Sequence, residues 1–116
     1  MKKQAAPWRR DILKHHKKRK SRAERAKFPP HVVRELKRWA NGRCQCGCGR
    51  PDNETHHVMP RARGGRGVIT NGMRVNTVCN GRIHADEAEL QHWIDMYAKL
   101  YGPDFYKDDI DKGVRA

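Results

Sequence analysis

Three of the four cysteines alternate along the chain, as Cys44, Cys46 and Cys48, and the fourth is Cys79. This cluster constrains the fold, because close thiols in a short chain from a reducing compartment are typical of a metal site. The chain also has little material for a core, since only 36% of its 116 residues are apolar and 34% are charged. Domains this small and polar usually depend on a metal, a disulfide or a partner. We therefore expect one small domain in which four thiolates bind a structural Zn²⁺.

The spacing of the cysteines makes it difficult for all of them to reach one zinc ion. Three alternate cysteines reach one ion only from a strongly turned backbone, which Gly47 and Gly49 favour. A site of three cysteines completed by another residue, a disulfide, and free thiols therefore remain alternatives.

The basic residues are numerous and unevenly distributed. Lys and Arg number 26 against 13 Asp and Glu, which gives a net charge of +13. Residues 1–27 carry a net +10, residues 28–84 a net +7 and residues 85–116 a net −4. A one-signed field of this size disfavours a compact state unless a polyanion neutralises it, and nucleic acid is the polyanion that this gradient favours. A solvated lysine-rich tail without a partner is the alternative for residues 1–27.

Membrane and secretory segments are not apparent in the sequence. No stretch approaches the roughly 18 consecutive apolar residues of a membrane span, and no apolar segment follows the basic residues at the N-terminus. We therefore expect a soluble cytoplasmic protein without a membrane partner.

Charge and periodicity predict three regions: a basic DNA-binding arm over residues 1–28, a folded core over residues 29–101, and an acidic, irregular tail over residues 102–116. Part of the arm could be helical, but its block of like charges repels itself in water. We therefore expect the arm to become ordered on DNA. The block consists of Lys17, Lys18, Arg19 and Lys20.

The expected class of the core is α+β, with a small hairpin and flanking helices. The predicted elements are a helix over residues 31–40, a tight turn over 43–52, strands over 55–59 and 73–78, and one or two helices from about 79 to 101. Asn41-Gly42 is expected to end the first helix.

Histidines and asparagines form the candidate site. In a helix beginning near residue 79, Asn80 and His84 are four residues apart, lie on one face and can hold one ion together. On a strand, His56 and His57 point to opposite faces, so both can serve one site only where the strand ends or twists. The nearby Pro60 is consistent with such an ending.

The order of these residues resembles the motif of the HNH endonucleases, over about residues 31 to 90. The residues that carry the resemblance are His56-His57-Val58-Met59-Pro60, Gly64-Gly65, Asn71, Cys79-Asn80 and His84. The resemblance implies a ββα-metal fold and a metal-dependent DNA endonuclease. The stretch leading into Arg43-Cys44 is also similar to phage-encoded members, such as the small HNH endonucleases of thermophilic tailed phages. For such members the resemblance implies a role in phage DNA processing or packaging, with terminase proteins as partners.

The resemblance also implies a role for each motif residue. His57 would be the general base that takes a proton from water, and His56 and His84 would bind one divalent cation. Asn80 would be a third ligand, directly or through water, and a helix N-cap is its alternative role. Asn71 would hold the two sides of the loop together and orient the base, or could belong to a simple Asn-Gly turn.

The ligand set limits the choice of cation. Two imidazoles and one amide carry no net charge, so the charge of the cation remains available to the phosphate. Mn²⁺, Ni²⁺ and Zn²⁺ suit these ligands better than Mg²⁺.

The cysteines depart from the family pattern. Zinc-supported members carry two Cys-x-x-Cys pairs, but here Asn76 stands at the first position of the later pair, before Cys79. The early pair is replaced by the three alternate cysteines, so the total is still four.

DNA contacts are expected from the arm and from the loop arginines Arg61, Arg63 and Arg66. A non-catalytic, zinc-containing DNA-binding module is the alternative function. Such a module has no use for His57 beside His56, and the chain lacks the Cys-x₂-Cys and His-x₃-His spacing of zinc fingers. The absence of a His-Glu-x-x-His segment disfavours a metalloprotease.

Overall fold

The structure is a computed structural model that describes residues 20–113. Over this range the predicted α+β class is confirmed, with an antiparallel hairpin followed by a helix. The helices are α1 (Arg22–Ala26), α2 (Pro30–Ala40), α3 (Thr77–Ala85) and α4 (Glu87–Tyr101), and the strands are β1 (Glu54–His57) and β2 (Gly72–Val75). Two short 3-10 helices, Arg61–Arg63 and Ile69–Asn71, lie between the strands. Lys17, Lys18 and Arg19 lie outside the described residues, and Lys20 is exposed.

The hairpin is shorter than predicted. His56 pairs with Met73 and His57 with Gly72, and the ladder then ends. It ends because the side chain of Asn71 accepts a hydrogen bond from the backbone N–H of Met59 at 2.7 Å, in place of a partner strand. Residues 58 and 59 are therefore not part of β1, contrary to the prediction.

The second strand was predicted to continue to residue 78, and this was wrong. Asn76 instead caps α3, since its side chain accepts a hydrogen bond from the backbone N–H of Val78 at 3.0 Å. Helix α3 therefore begins at Thr77, two residues before the expected start. The capping role belongs to Asn76, so the alternative role of Asn80 as an N-cap was also wrong.

The other helix boundaries follow local signals. Helix α2 begins at Pro30, one residue before the predicted start, and ends at Ala40, where the left-handed backbone of Asn41 (φ 51°) closes the helix as predicted. Asp86 separates α3 from α4, because its side chain accepts hydrogen bonds from the N–H groups of Ala88 and Glu89. The C-terminal part therefore contains two helices.

The core lies between the hairpin, α3 and α4, and its buried members are Cys44, Val58, Met73, Val75, Cys79, Ile83, Leu90, Ile94, Tyr97 and Phe105. Phe105 comes from the segment after α4 and is only 2% exposed. The described part of the acidic tail is therefore attached to the core. No helix within residues 20–113 is long and apolar enough to cross a membrane. The division of the chain into three regions stays a prediction.

Candidate active site and metal centres

A cleft of about 390 Å³ lies between β1 and α3. Four of the residues singled out in the sequence line it: His56, His57, Asn80 and His84. The remaining lining residues are Thr55, Pro60, Arg61 and Ala62. His57 is the last residue of β1, which is how two consecutive histidines come to line one cleft, as the sequence predicted.

His56 is buried with no hydrogen-bond partner. Its side chain faces the core side of β1 and is 1% exposed, and neither ring nitrogen has a partner among the described residues. The ring of His84 packs edge-on against it, with centroids 5.1 Å apart. Burial, together with the nearby His84, lowers the pKa of His56 to about 4. The ring is therefore neutral near pH 7, which is the form of imidazole that binds a metal.

The side chain of Asn80 also has a buried polar atom without a partner, its carbonyl oxygen. Its amide nitrogen donates a hydrogen bond to a carboxylate oxygen of Glu54 at 2.7 Å. Because a carboxylate can only accept, this contact fixes the orientation of the amide. The Oδ1 atom of Asn80 is then buried without a partner.

These unpartnered atoms test whether a cation fits the cleft. Among residues 20–113, four buried side-chain polar atoms lack a partner, and three of them belong to His56 and Asn80. A buried acceptor without a partner is costly, and several of them in one cleft are explained by a ligand that they share. The residues that could hold a divalent cation are thus His56, Asn80 and the exposed His84.

His57 is held on its other side by the segment after α1. Its Nε2 atom lies 2.5 Å from the backbone oxygen of Ala26, and its ring lies against Phe28 with centroids 4.3 Å apart. A carbonyl oxygen only accepts hydrogen bonds, so Nε2 carries the proton and Nδ1 is the basic nitrogen. Burial is the main cause that lowers the pKa of His57, and the nearby Arg61 adds to it. The neutral ring is therefore available to accept a proton.

Asn71 ties the two ends of the loop together. Its buried side chain accepts from the N–H of Met59 and donates to the carbonyl oxygens of Met59 and Arg66, at 3.2 and 3.0 Å. Gly65 is required beside it, because a Cβ atom there would lie 1.8 Å from the oxygen of Met59. The bonds of Asn71 therefore fix the backbone two residues after His57.

The three loop arginines lie in different environments. Arg61 is exposed at the edge of the cleft, and Arg63 is about half exposed and pairs with Glu87 at 2.6 Å. Arg66 differs from the surface residue that we expected, since its side chain is 7% exposed and pairs with Asp111 at 2.8 Å. The charge of Arg66 is already neutralised by Asp111 inside the protein, so the proposed DNA contacts of the loop are those of Arg61 and Arg63.

The four cysteines converge, as predicted. Their sulfur atoms all lie within 4.8 Å of one another, and none of them forms a disulfide. A tetrahedral zinc with bonds of about 2.3 Å needs sulfurs roughly 3.8 Å apart. The cluster, composed of Cys44, Cys46, Cys48 and Cys79, therefore fits one ion. Gly47 and Gly49 supply the sharp turn, with φ of 87° and 82°.

Hydrogen-bond donors and positive charges surround the cysteine cluster, as negatively charged thiolates require. The backbone N–H of Asn76 points to the sulfur of Cys44 at 3.3 Å. Arg50 and Arg82 each place a guanidinium nitrogen within 4 Å of the sulfur of Cys79. Asn76 thus contacts the cluster from the position where the family pattern has a cysteine.

The sequence did not single out Glu54, Phe28 or Ala26. Glu54 could have been found, because it lies two residues before His56 and so shares its face of the strand. Nothing local indicates Ala26 or Phe28, whose contacts with His57 join parts of the chain about thirty residues apart.

Residues 44–86 match the family model of the HNH endonucleases. The HNH segment begins at Cys44, ends just after α3, and contains the cysteine cluster and the four histidine and asparagine residues of the cleft. It leaves α1, α2 and the whole of α4 outside. The match associates the segment with nuclease activity or nucleic-acid binding. No curated protein and no solved structure matches the chain.

Proposed function

We propose that the chain is a metal-dependent DNA endonuclease that nicks or cleaves DNA by hydrolysing phosphodiester bonds. The observation that supports this most is the cleft, which is lined by His57 and by His56 and Asn80, whose buried polar atoms have no partner. A protein that only binds DNA has no need for either feature. The match of residues 44–86 to the HNH endonucleases supports the same reaction.

In the proposed reaction His57 takes a proton from the attacking water through Nδ1. His56, Asn80 and His84 would hold one divalent cation, with Mn²⁺, Ni²⁺ or Zn²⁺ favoured over Mg²⁺ by the ligand types. When bound, the cation would stabilise the negative charge on the phosphate and on the leaving 3′ oxygen. Asn71 keeps the loop backbone after His57 in place and contacts no reacting atom.

A structural Zn²⁺ at the cysteine cluster is a second part of the proposal. Four thiolates are a full tetrahedral set and leave no open position for a substrate. This centre would therefore stabilise the fold and take no part in the reaction.

DNA is the proposed substrate because of the charge around the cleft. Arg61 lies at its edge, and Arg63 is two residues further along the loop. In the sequence, residues 1–28 carry further positive charge that DNA could neutralise. The proposed setting is a phage-encoded protein that acts in the host cytoplasm, in DNA processing or packaging beside terminase proteins. This setting depends only on the resemblance to phage-encoded members of the family.

Supercoiled plasmid is the substrate that tests the reaction. We expect the full chain to convert it to nicked or linear DNA with Mn²⁺, Ni²⁺, Zn²⁺ or Mg²⁺, and to stop when a chelator is added. Binding of the plasmid without cleavage under any of these metals would instead support a non-catalytic DNA-binding module.

Replacement of His84 by alanine is expected to raise the metal concentration needed for half-maximal cleavage by about 10-fold or more, because the cation no longer has one of its imidazole ligands. DNA affinity should change little. Cleavage measured across a metal titration tests this, with His92→Ala as the control, since His92 is an exposed histidine on α4. Identical titrations for the His84 variant and the wild type would rule out His84 as a ligand.

Deletion of residues 1–20 should weaken DNA binding and leave the reaction intact. The deletion removes basic residues but keeps Ser21, whose side chain caps α1. For every phosphate that the shortened chain no longer neutralises, the slope of log affinity against log salt should become shallower by roughly 0.9. Affinities measured over a series of salt concentrations test this, and cleavage at saturating DNA is the control. An unchanged slope would mean that the arm does not contact the duplex.

A further inference from the structure

We propose that an ion-pair clamp between α1 and the C-terminal segment positions His57 for the reaction. The clamp consists of Arg25, Asp108 and Asp111. This inference depends on the proposed endonuclease function, since it assigns a positioning role to residues outside the HNH segment. None of the three contacts the cleft, so none is a catalytic residue.

The clamp is a two-sided, partly buried contact. Arg25 places Nε and Nη2 at 2.7 and 2.8 Å from the two carboxylate oxygens of Asp108, and Nη2 at 2.6 Å from Asp111. The side chains of Arg25 and Asp108 are only 13% and 19% exposed. The guanidinium of Arg25 holds the pKa of the Asp108 carboxyl well below its usual range. A bidentate pair of this kind fixes direction as well as distance.

The backbone carries this constraint from Arg25 to His57. Arg25 directly precedes Ala26, whose carbonyl oxygen accepts the Nε2 proton of His57. The carbonyl of Arg25 itself accepts from the N–H of Gly67 at 2.9 Å. Gly67 packs so closely that a Cβ atom there would lie 1.9 Å from the oxygen of Lys27. The end of α1 therefore has little freedom to move relative to the loop after β1.

The C-terminal segment is itself fixed to the same loop. Phe105 is buried in the core, and its carbonyl oxygen accepts a hydrogen bond from the hydroxyl of Thr70. The carbonyl of Tyr106 accepts from the N–H of Arg66 at 3.0 Å, and Asp111 pairs with the side chain of Arg66. The carboxylates that hold Arg25 thus extend from the body of the protein rather than from a free tail.

The segment at the end of α1 covers one side of His57, so it could either orient the ring or block it from the substrate. The contact engages Nε2 alone, and Nδ1 has no hydrogen-bond partner in the part of the chain described. His57 still lines the open cleft. The geometry therefore orients the ring and selects its tautomer while leaving the basic nitrogen without a hydrogen bond.

Asp108→Asn tests the clamp with little change in size. Cleavage at saturating DNA and metal should fall by about tenfold, since small misplacements of a reacting group are costly. The dissociation constant for DNA should stay within about twofold. Asp109→Asn is the matched control, because it makes the same change at the exposed neighbouring residue and should cleave like the wild type. Arg25→Gln should reproduce the decrease from the other side of the ion pair.

The ring nitrogens of His57 give a readout that does not require activity. In the wild type, ¹⁵N chemical shifts should report one tautomer protonated at Nε2, and in Asp108→Asn they should move towards a mixture. Thermal melting of each variant shows whether the fold is kept.

Unchanged turnover with unchanged nitrogen shifts in both variants would overturn the clamp, and faster turnover would show that α1 inhibits the site. If the wild type cleaves no DNA, the proposed function fails, but the nitrogen shifts still decide whether the clamp holds the ring.

Discussion

Replacement of His57 by alanine is expected to lower the rate of metal-dependent cleavage by about 10²–10⁴-fold, because the reaction loses its general base. DNA affinity should remain close to that of the wild type, since a neutral imidazole contributes little to phosphate binding. Single-turnover cleavage of supercoiled plasmid, together with a binding titration, measures the two effects separately.

His31→Ala is a suitable control for this experiment, because His31 is exposed at the beginning of α2 and does not line the cleft. Melting temperatures of both variants show whether removal of the ring that packs against Ala26 and Phe28 disturbs the fold. Cleavage by His57→Ala within a few fold of the wild type would mean that another group takes the proton.

Replacement of Cys79 by serine is expected to release the tightly held zinc and to lower the melting temperature by more than about 10 °C. The reason is that structural zinc contributes on the order of 10 kcal/mol to folding in small domains, and each kcal/mol corresponds to several degrees. Val78→Ser is the matched control, because Val78 is the preceding residue on α3 and is 59% exposed. Substitutions of exposed residues usually change the free energy of unfolding by only about 0.5 kcal/mol or less.

Elemental analysis after dialysis decides whether the zinc is present. We expect one Zn²⁺ per wild-type chain and none in Cys79→Ser, whereas the cation of the cleft should be removed by dialysis because its site is open. Thiol titration under denaturing conditions completes the test. Four free thiols without zinc would refute the structural site, and two missing thiols would indicate a disulfide.

Local signals predicted most of the fold. The end of α2 was visible in the sequence, because the left-handed asparagine Asn41 acts through its own backbone. The helix begins at Pro30, one residue before the predicted start, since proline fits the first position of a helix. The strand ends were less predictable. They depend on Asn71 and Asn76, whose side chains replace ladder bonds, and such choices between local hydrogen bonds are not visible in periodicity.

The candidate site also has parts that the sequence predicted and parts that it did not. Helix spacing was enough to bring Asn80 and His84 together, because it fixes the face on which they lie. Their grouping with His56 came from the resemblance to the HNH motif. The position of Arg66 could not be predicted, since the charge of an arginine does not reveal whether a carboxylate 45 residues away will pair with it inside the protein. The contact of His57 with Ala26 is made by a backbone carbonyl, and any residue type provides one.

Helix α3 belongs to both proposed metal centres. Cys79 and Asn80 are consecutive residues, one in the cysteine cluster and the other in the cleft. An ion that the cluster binds would fix the first turn of α3, and with it the position of Asn80 and, one turn later, of His84. Occupancy of the two centres would then be thermodynamically linked, and the tighter centre would be filled first. A cell short of zinc would consequently produce chains that need a higher concentration of the second cation to fill the cleft.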